Sequence, residues 1–280
     1  MQVGQVLRNT SDKLKFNGIE DYRFEAKCLV EYVTKLNSVQ IAIGDADISD
    51  EKIKELDSLI NKRIKNYPLQ YILGEWEFMG YTFKVGEGVL IPRPETEVLV
   101  ELALEKIKDI ESPVVFDLCS GSGCIGISIA KERPDAKVFL FEKYDKAFSF
   151  LSENVNSLNA KNVTPVKLDI TADYSNISLV QPNIIVSNPP YIRSDEMDGL
   201  QSEVKKEPST ALDGGEDGMD FYRVIARKWM PLIKEKGSLI VECDPWQTKP
   251  IEKIFSTDNA TAYTVLDLNN DPRIVCADIN

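Results

Sequence analysis

Beyond Pro92 the chain alternates short apolar runs with longer amphipathic segments, and this alternation limits its possible folds more than any other feature. Short apolar runs bounded by turn residues are typical of buried strands, and a repeat of strand and helix predicts a doubly wound α/β sheet. Seven strands are predicted, at Val114–Asp117, Val138–Glu142, Val163–Asp169, Ile184–Ser187, Ser238–Cys243, Ala262–Asp267 and Arg273–Asp278. Helices are predicted at Glu95–Lys108, Cys124–Lys131, Asp145–Asn159, Gly218–Leu232 and Thr248–Phe255.

The part of the chain before this repeat has a different pattern. From Val3 to about Leu73 apolar residues recur at helical spacing, which predicts a small helical bundle. Apolar residues then alternate on both sides of Met79-Gly80, as in a short β-hairpin. We therefore predict a helical bundle over residues 1–73, a hairpin linker over 74–91 and an α/β domain over 92–280.

Histidine is absent from all 280 residues, and the net charge is −12. The chain therefore lacks the usual proton shuttle near neutral pH and the commonest nitrogen ligand of metals, so we expect neither a serine–histidine hydrolase nor a metal site. Such a negative charge also disfavours duplex DNA, because non-specific binding depends on cations that neutralise phosphates. A protein or small-molecule substrate is favoured.

The segments that would indicate a membrane or secreted protein are missing from the sequence. The chain starts without a basic stretch followed by an apolar run, and no apolar stretch is long enough to span a bilayer. Its five cysteines are scattered and include no pair with the two-residue spacing of a zinc or redox motif. We expect a cytoplasmic protein with reduced thiols.

The first motif that carries chemistry is the segment Asp117-Leu-Cys-Ser-Gly-Ser-Gly123, between a predicted strand and a predicted helix. Small residues allow a ligand to approach the backbone, and the start of a helix offers unpaired N–H groups. The acid Asp117 beside the turn favours a ligand with an ammonium group over a pyrophosphate. A glycine-rich turn that only packs a helix against the sheet remains an alternative.

The next two predicted strands also end in acids, Glu142 and Asp169. An acid at the position of Glu142 can accept hydrogen bonds from both hydroxyls of a ribose. Three successive strands thus bring acids to the carboxyl edge of the sheet, where open α/β sheets bind ligands. Solvated acids at strand ends are the alternative for each of them.

The third motif, Asn188-Pro189-Pro190-Tyr191, follows the apolar strand that ends at Ser187. Prolines stiffen the backbone and donate no N–H, so the carbonyls around Pro189 can accept hydrogen bonds. Together with the side-chain oxygen of Asn188 they can hold both hydrogens of a planar NH2 group, and Tyr191 can stack on that group. We predict Asn188, Pro189 and Tyr191 as catalytic residues and Asn188 to Tyr191 as the substrate site.

With these motifs the chain resembles the peptide chain release factor glutamine methyltransferases of the HemK type, over nearly its whole length. The resemblance implies a class I methyltransferase fold with S-adenosylmethionine as cofactor and the glutamine of a release factor's Gly-Gly-Gln motif as substrate. It implies that Asn188 faces both cofactor and substrate. The implied cofactor residues are Asp117, Cys119, Ser120, Gly121, Ser122 and Gly123 around the methionine moiety, Glu142 at the ribose, and Asp169 and Ile170 near the adenine.

Two further segments resemble the same family, Ile91-Pro-Arg-Pro-Glu-Thr-Glu97 and the glycine-containing segment from Glu207 to Gly218. The chain departs from the family pattern at Cys119, where glycine is usual, and at Glu242-Cys-Asp-Pro-Trp-Gln247, where the usual pattern is Glu-x-Gly-x-x-Gln. The turn Asn269–Arg273 also replaces a more typical glycine-containing turn.

Three other functions remain open from the residues. A ribosomal-protein glutamine methyltransferase would use the same chemistry and ranks second. An adenine N6-methyltransferase of nucleic acid would bind an exocyclic amine with the same acceptors, after flipping the base. A non-enzymatic protein that binds the cofactor is the third. The preferred function needs the release factor as protein partner, but no nucleic acid, membrane or metal.

Overall fold

The computed structural model describes residues 1–172 and 180–280. The chain forms two compact units. The first contains Met1–Glu75 and the short segment Ser202–Lys206, and the second contains Trp76–Gln201 and Glu207–Asn280. The chain therefore leaves the second unit after Gln201, contributes five residues to the first, and returns at Glu207.

The first unit is built from helices, as its apolar spacing predicts. They are α1 (Val3–Phe16), α2 (Tyr22–Thr34), α3 (Ser38–Ile43), α4 (Asp50–Arg63) and α5 (Leu69–Leu73). Side chains at helical spacing, such as Ala26, Leu29 and Val33 of α2, are buried in this unit.

A buried ion cluster attaches the segment Ser202–Lys206 to the first unit. Arg63, at the end of α4, donates to both carboxylate oxygens of Glu25 in α2. The same guanidinium lies 2.9 Å from the Glu203 carboxylate. Because a planar guanidinium has five donors, one arginine can hold two carboxylates at once.

A hairpin of β1 (Glu75–Phe78) and β2 (Tyr81–Lys84) follows, and all of it except Glu75 belongs to the second unit. Met79 and Gly80 both have positive φ, as a two-residue turn between strands requires. Phe78 and Phe83 are buried in the same apolar cluster as Leu99 of the α/β domain. The hairpin is therefore part of the second unit, whereas we predicted a linker.

A seven-stranded sheet forms the centre of the second unit. Its strands are β3 (Val114–Leu118), β4 (Lys137–Glu142), β5 (Val163–Lys167), β6 (Ile184–Ser187), β7 (Ser238–Glu242), β8 (Ala260–Leu266) and β9 (Pro272–Ile279). They are arranged in the order β5-β4-β3-β6-β7-β9-β8. Strands β3 to β7 pair in parallel, and β9 is antiparallel to β7 and β8. The predicted doubly wound sheet is confirmed.

The helices of this unit are α6 (Glu97–Ile107), α7 (Cys124–Glu132), α8 (Asp145–Ser157), α9 (Asp220–Val224) and α10 (Thr248–Phe255). Apolar residues on both faces of the sheet are buried against them. Along β6, Ile184 and Val186 belong to one apolar cluster and Ile185 to the other, because successive side chains of a strand point to opposite faces.

Two predicted elements show differences from the structure that have a clear local cause. Strand β5 ends at Lys167 instead of Asp169, because the chain turns where Asp169 accepts hydrogen bonds from Thr171. The helix predicted over Gly218–Leu232 is divided into α9, a π-helical turn over Ile225–Trp229 and a 3-10 turn over Met230–Leu232. Pro231 lies in that last turn, where it cannot donate to an α-helical hydrogen bond.

Among the residues that the structure describes, no helix has both the length and the apolar character needed to cross a membrane.

Candidate active site

A cavity that is partly open to solvent lies at the carboxyl edge of the sheet in the second unit, and together with the open space at its mouth it encloses about 930 Å³. Its walls come from the segments that follow β3, β4, β5 and β6. The sheet order reverses between β3 and β6, and open α/β sheets bind ligands at such a switch point.

The glycine-containing turn after β3 forms one wall, with Cys119, Ser120, Gly121 and Ser122 on the cavity surface. The turn is fixed from behind, because the Ser120 hydroxyl donates to the Asp117 carbonyl at 2.7 Å and its N–H to the Phe141 carbonyl at 3.1 Å. Gly123 lies behind the wall as the N-cap of α7, with a φ of 82°.

Cys119 has a φ of 59°, the left-handed conformation that glycine adopts without cost. This explains why glycine is usual here in the family that the sequence resembles. The Cys119 thiol is a neutral group, because burial and the nearby charges of Glu142 and Asp117 raise its pKa well above the ordinary value.

Glu142, the last residue of β4, is 6% exposed and lies on the cavity wall. One carboxylate oxygen accepts from the Gly121 N–H at 3.0 Å and the other from the Tyr144 N–H at 2.7 Å. Burial raises the pKa of Glu142, although these backbone hydrogen bonds act to lower it. A carboxylate has about four acceptor positions, so Glu142 can still accept from a ligand hydroxyl.

Asp169 and Ile170 lie on the cavity wall after β5. Burial acts to raise the pKa of Asp169, but hydrogen bonds from Thr171 and Lys143 outweigh it and lower that pKa. The Ile170 carbonyl accepts from the indole N–H of Trp229 at 3.0 Å, and Trp229 is fully buried. The π-helical turn thus fixes the backbone at this wall, a contribution that sequence periodicity does not reveal.

Asn188 and Pro190 also line the cavity, next to the glycine-containing turn. Pro189 and Tyr191 do not line it. The Tyr191 side chain packs against the apolar cluster on one face of the sheet, and its carbonyl accepts from Gln247 at 2.9 Å. The structure therefore brings Asn188 to the cavity with Glu142, Asp169 and the turn, and holds Tyr191 behind this surface.

The position of Asp117 differs from our prediction. We expected it to contact a ligand, but it is fully buried and does not line the cavity. Its carboxyl group accepts from the Gly126 N–H at 3.0 Å. A Cβ at Gly126 would meet the Asp117 carboxylate at 3.0 Å and the Leu140 side chain at 2.1 Å, so α7 packs closely there against side chains of β3 and β4. Asp117 supports the turn from behind.

The two further segments that resemble the family meet at the cavity. Glu207 is buried and accepts from the Ile91 N–H at 3.0 Å, and it pairs with the Arg93 guanidinium. Arg93 and Thr96 from one segment and Pro208 from the other lie on the wall. The Arg93–Glu207 pair therefore holds together two segments that are more than 100 residues apart in the chain.

Comparison with known proteins agrees with this division of the chain. The family model described as the PrmC N-terminal domain matches residues 5–74, and that of the methyltransferase small domain matches residues 94–216. The release factor glutamine methyltransferase of Thermodesulfovibrio yellowstonii is 39% identical over 257 residues, 91% of this chain and 89% of that protein. The protein of Geobacter sulfurreducens with the same name is 35% identical over 98% of this chain and 95% of that protein.

The chain belongs to the release factor glutamine methyltransferase family. A human relative, the MTRF1L release factor glutamine methyltransferase, is 32% identical over 81% of this chain and 72% of its own length. The resemblance inferred from Asn188-Pro-Pro-Tyr191 and the glycine-containing turn is thereby confirmed. Membership in this glutamine methyltransferase family does not favour the adenine and ribosomal-protein alternatives.

Solved structures establish the fold. The catalytic domain of hMettl16, in complex with a MAT2A 3'UTR hairpin, has a TM-score of 0.58 and 13% identity, covering 94% of this chain and 93% of that domain. A methyltransferase of Pyrococcus furiosus has a TM-score of 0.53 and 14% identity, covering 81% of this chain and 97% of that one. At such low identity the likeness concerns the class I methyltransferase fold alone.

Sequence reasoning missed Thr96 and Glu242, which are both buried and lie next to Asn188. Burial raises the pKa of Glu242 to about 7, while the hydrogen bond from Thr96 and the charge of Arg273 act to lower it. Both residues lie in segments that were compared with the family pattern, and Glu242 lies one residue before the end of the predicted strand Ser238–Cys243, but neither was selected as a site residue.

Because the backbone at Cys119 is left-handed, we predict that glycine stabilises the protein more than alanine at this position, the opposite of their usual order. Cys119→Gly and Cys119→Ala both remove the sulfur, but only alanine keeps a Cβ in the left-handed conformation. We expect the glycine variant to be more stable than the alanine variant by about 1 kcal/mol, whereas glycine is the less stable of the two in ordinary backbone. Guanidinium unfolding would measure the difference, and greater stability of the alanine variant would contradict the prediction.

The buried Asp117 predicts how stability depends on pH. Burial raises its pKa from 3.8 to about 8. Between these values the folded protein holds a proton that the unfolded chain has lost, so Asp117 makes the free energy of unfolding fall as pH rises from about 4 to about 8. We expect Asp117→Asn to lose part of this slope in urea unfolding at pH 5 and pH 8. An unchanged slope would show that Asp117 is ionised in the folded state.

Proposed function

We propose that this chain transfers a methyl group from S-adenosylmethionine to the side-chain amide nitrogen, N5, of the glutamine in the Gly-Gly-Gln motif of release factors. The observation that carries the proposal is the position of Asn188, whose carboxamide lies on the wall of the cavity beside the glycine-containing turn. The relatives' shared name gives the substrate.

The residues of the cavity fit S-adenosylmethionine. Gly121 lies on its surface, where an added Cβ would meet only Val89 at 3.8 Å, so a ligand can approach the backbone. Glu142 would accept from the ribose hydroxyls, and Leu168 and Ile170 offer apolar surface to the adenine. When bound, the cofactor supplies an electrophilic methyl group on a positively charged sulfur.

The protein must hold a poor nucleophile in place, because the lone pair of an amide nitrogen is delocalised into its carbonyl. In our proposal Asn188 Oδ1, on the cavity wall, accepts one hydrogen bond from the glutamine NH2. Pro189 does not line the cavity in this structure, so its carbonyl would accept the second only once the substrate has entered. These bonds align the nitrogen with the methyl group, and they strengthen as the nitrogen becomes positive. The proton leaves to water after transfer, when the nitrogen is acidic, so no histidine is needed.

We also propose that the helical unit recognises the release factor. The residues that line the cavity, from Gly88 to Phe221, all belong to the second unit. The first unit thus supplies none of the residues that line the cavity.

The test is to incubate the purified protein with S-adenosylmethionine and a release factor, and to locate the added methyl group by peptide mass spectrometry. We expect methylation of the Gly-Gly-Gln glutamine and none of a release factor with asparagine there, or of DNA or RNA. A chelator should not slow turnover, since methyl transfer from sulfonium needs no Lewis acid. A short Gly-Gly-Gln peptide should be a poorer substrate than the intact factor. Methylation of nucleic acid alone would contradict the proposal.

A further inference from the structure

Three polar side chains from distant parts of the second unit meet at the cavity. The Thr96 hydroxyl, just before α6, donates to the Glu242 carboxylate at 2.6 Å. The Asn188 side-chain nitrogen donates to the same Thr96 oxygen at 3.4 Å, and Asn188 lies near enough to Glu242 to act to lower its pKa. Thr96 is 2% exposed and Glu242 3% exposed, so water competes little for these hydrogen bonds.

The sheet itself brings Asn188 and Glu242 together. Strands β6 and β7 are parallel neighbours, and Ser187 lies opposite Val241 in their register. The next residue of each strand is Asn188 on one side and Glu242 on the other, at the same carboxyl edge. Thr96 then completes the group from the segment that Glu207 holds through Ile91 and Arg93.

This arrangement determines which way the Asn188 carboxamide points. Above its pKa of about 7 Glu242 is ionised and can only accept hydrogen bonds, so the Thr96 hydroxyl donates to it and the Thr96 oxygen accepts from Asn188. The NH2 side of the carboxamide therefore faces Thr96 and Glu242. The oxygen, on the other side of the group, is turned away from them.

We propose that Thr96 and Glu242 are positioning residues that hold Asn188 in the rotamer and amide orientation that present Oδ1 to the substrate NH2. The inference rests on the proposed function. Without Thr96 and Glu242 the Asn188 carboxamide could rotate by half a turn and present its own NH2 to the substrate. Two hydrogen-bond donors would then face each other and no hydrogen bond would form. The Glu242 charge would also polarise the carboxamide, which makes Oδ1 a stronger acceptor as the substrate nitrogen becomes positive.

The experiment compares Thr96→Val, which replaces the hydroxyl by a methyl group of similar size, with Thr96→Ser, which retains the hydroxyl. We expect Thr96→Val to lower the single-turnover rate at saturating release factor by about 10- to 100-fold, the effect of one charged hydrogen bond. S-adenosylmethionine affinity and the KM for release factor should change little. Thr96→Ser should restore most of the rate.

Thr248→Val is the matched control. Thr248 is 4% exposed and its hydroxyl donates to the Pro245 carbonyl at 3.0 Å, outside the cavity walls. It should keep the parent rate although it also loses a buried hydroxyl. Glu242→Gln is a second variant that we expect to lower the single-turnover rate in the same way. Circular dichroism would verify that it is folded.

The outcomes separate the inference from the proposed function. If the parent protein does not methylate release factor, the proposed function fails. If the parent is active and Thr96→Val is equally fast, the positioning inference is wrong. It is also wrong if Thr96→Ser is as slow as Thr96→Val, or if only the KM changes.

Discussion

Asn188→Ala is expected to lower the rate of glutamine methylation by about 100- to 1,000-fold, the effect of removing one preorganised hydrogen-bonding group from an active site. The side chain is half-buried on the cavity wall, and no large part of the core depends on it. Its loss removes an acceptor that matters most in the transition state and lets the substrate amide turn out of line. Single-turnover kinetics at saturating substrates would measure this loss.

Two further variants test whether the loss of rate is due to the hydrogen-bonding role of Asn188. Asn188→Asp keeps an acceptor but adds a negative charge beside Glu242, and we expect it to bind S-adenosylmethionine yet react slowly. Asn162→Ala removes an asparagine whose NH2 donates to three backbone carbonyls away from the cavity. The Asn162→Ala variant should have a lower free energy of unfolding but methylate glutamine at the parent rate. A near-parental rate for Asn188→Ala would mean that Asn-Pro-Pro-Tyr is only a rigid turn.

Glu142→Ala is expected to weaken S-adenosylmethionine binding by roughly 10- to 100-fold, corresponding to about 1.5–3 kcal/mol for hydrogen bonds to a charged group. Two effects act together. The ribose hydroxyls lose their acceptor, and the N–H groups of Gly121 and Tyr144 lose the carboxylate that now orients the turn. Isothermal calorimetry measures the affinity directly.

The controls separate these two effects. Glu142→Gln keeps one oxygen acceptor and should lie between the parent and Glu142→Ala. Glu105→Ala removes an exposed acid that pairs with Lys108 on α6, and it should leave the affinity unchanged. If Glu142→Ala is folded and binds the cofactor as tightly as the parent, Glu142 is only a support of the turn and no ribose ligand.

Local sequence patterns determined most of the fold. The seven strands, the helices Cys124–Glu132 and Thr248–Phe255 and the turn at Met79-Gly80 follow from apolar periodicity and turn residues, which act over a few neighbours. The motifs at 119–123, at Glu142 and at Asn188 could also be selected from sequence. A parallel sheet brings the carboxyl ends of its strands to one edge, so the part of the wall that follows β3 to β6 was predictable, whereas the part with Arg93 and Thr96 was not.

Other features were decided only by tertiary packing. The sequence does not reveal that Asp117 faces Gly126 behind the turn, because the choice depends on how closely β3 and α7 approach. It also does not assign residues 202–206 to the helical unit, since the Arg63–Glu203 contact spans 140 positions.

Thr96 and Glu242 were not recognised as site residues for the same reason. Thr96 lies 92 positions from Asn188 and 146 from Glu242 in the chain, and no local pattern relates these three residues. Apolar periodicity specifies which face of an element is buried, but not which polar groups meet there. Burial makes that meeting selective, because a buried carboxylate is stable only where donors reach it, and the three-dimensional packing alone determines which donors do.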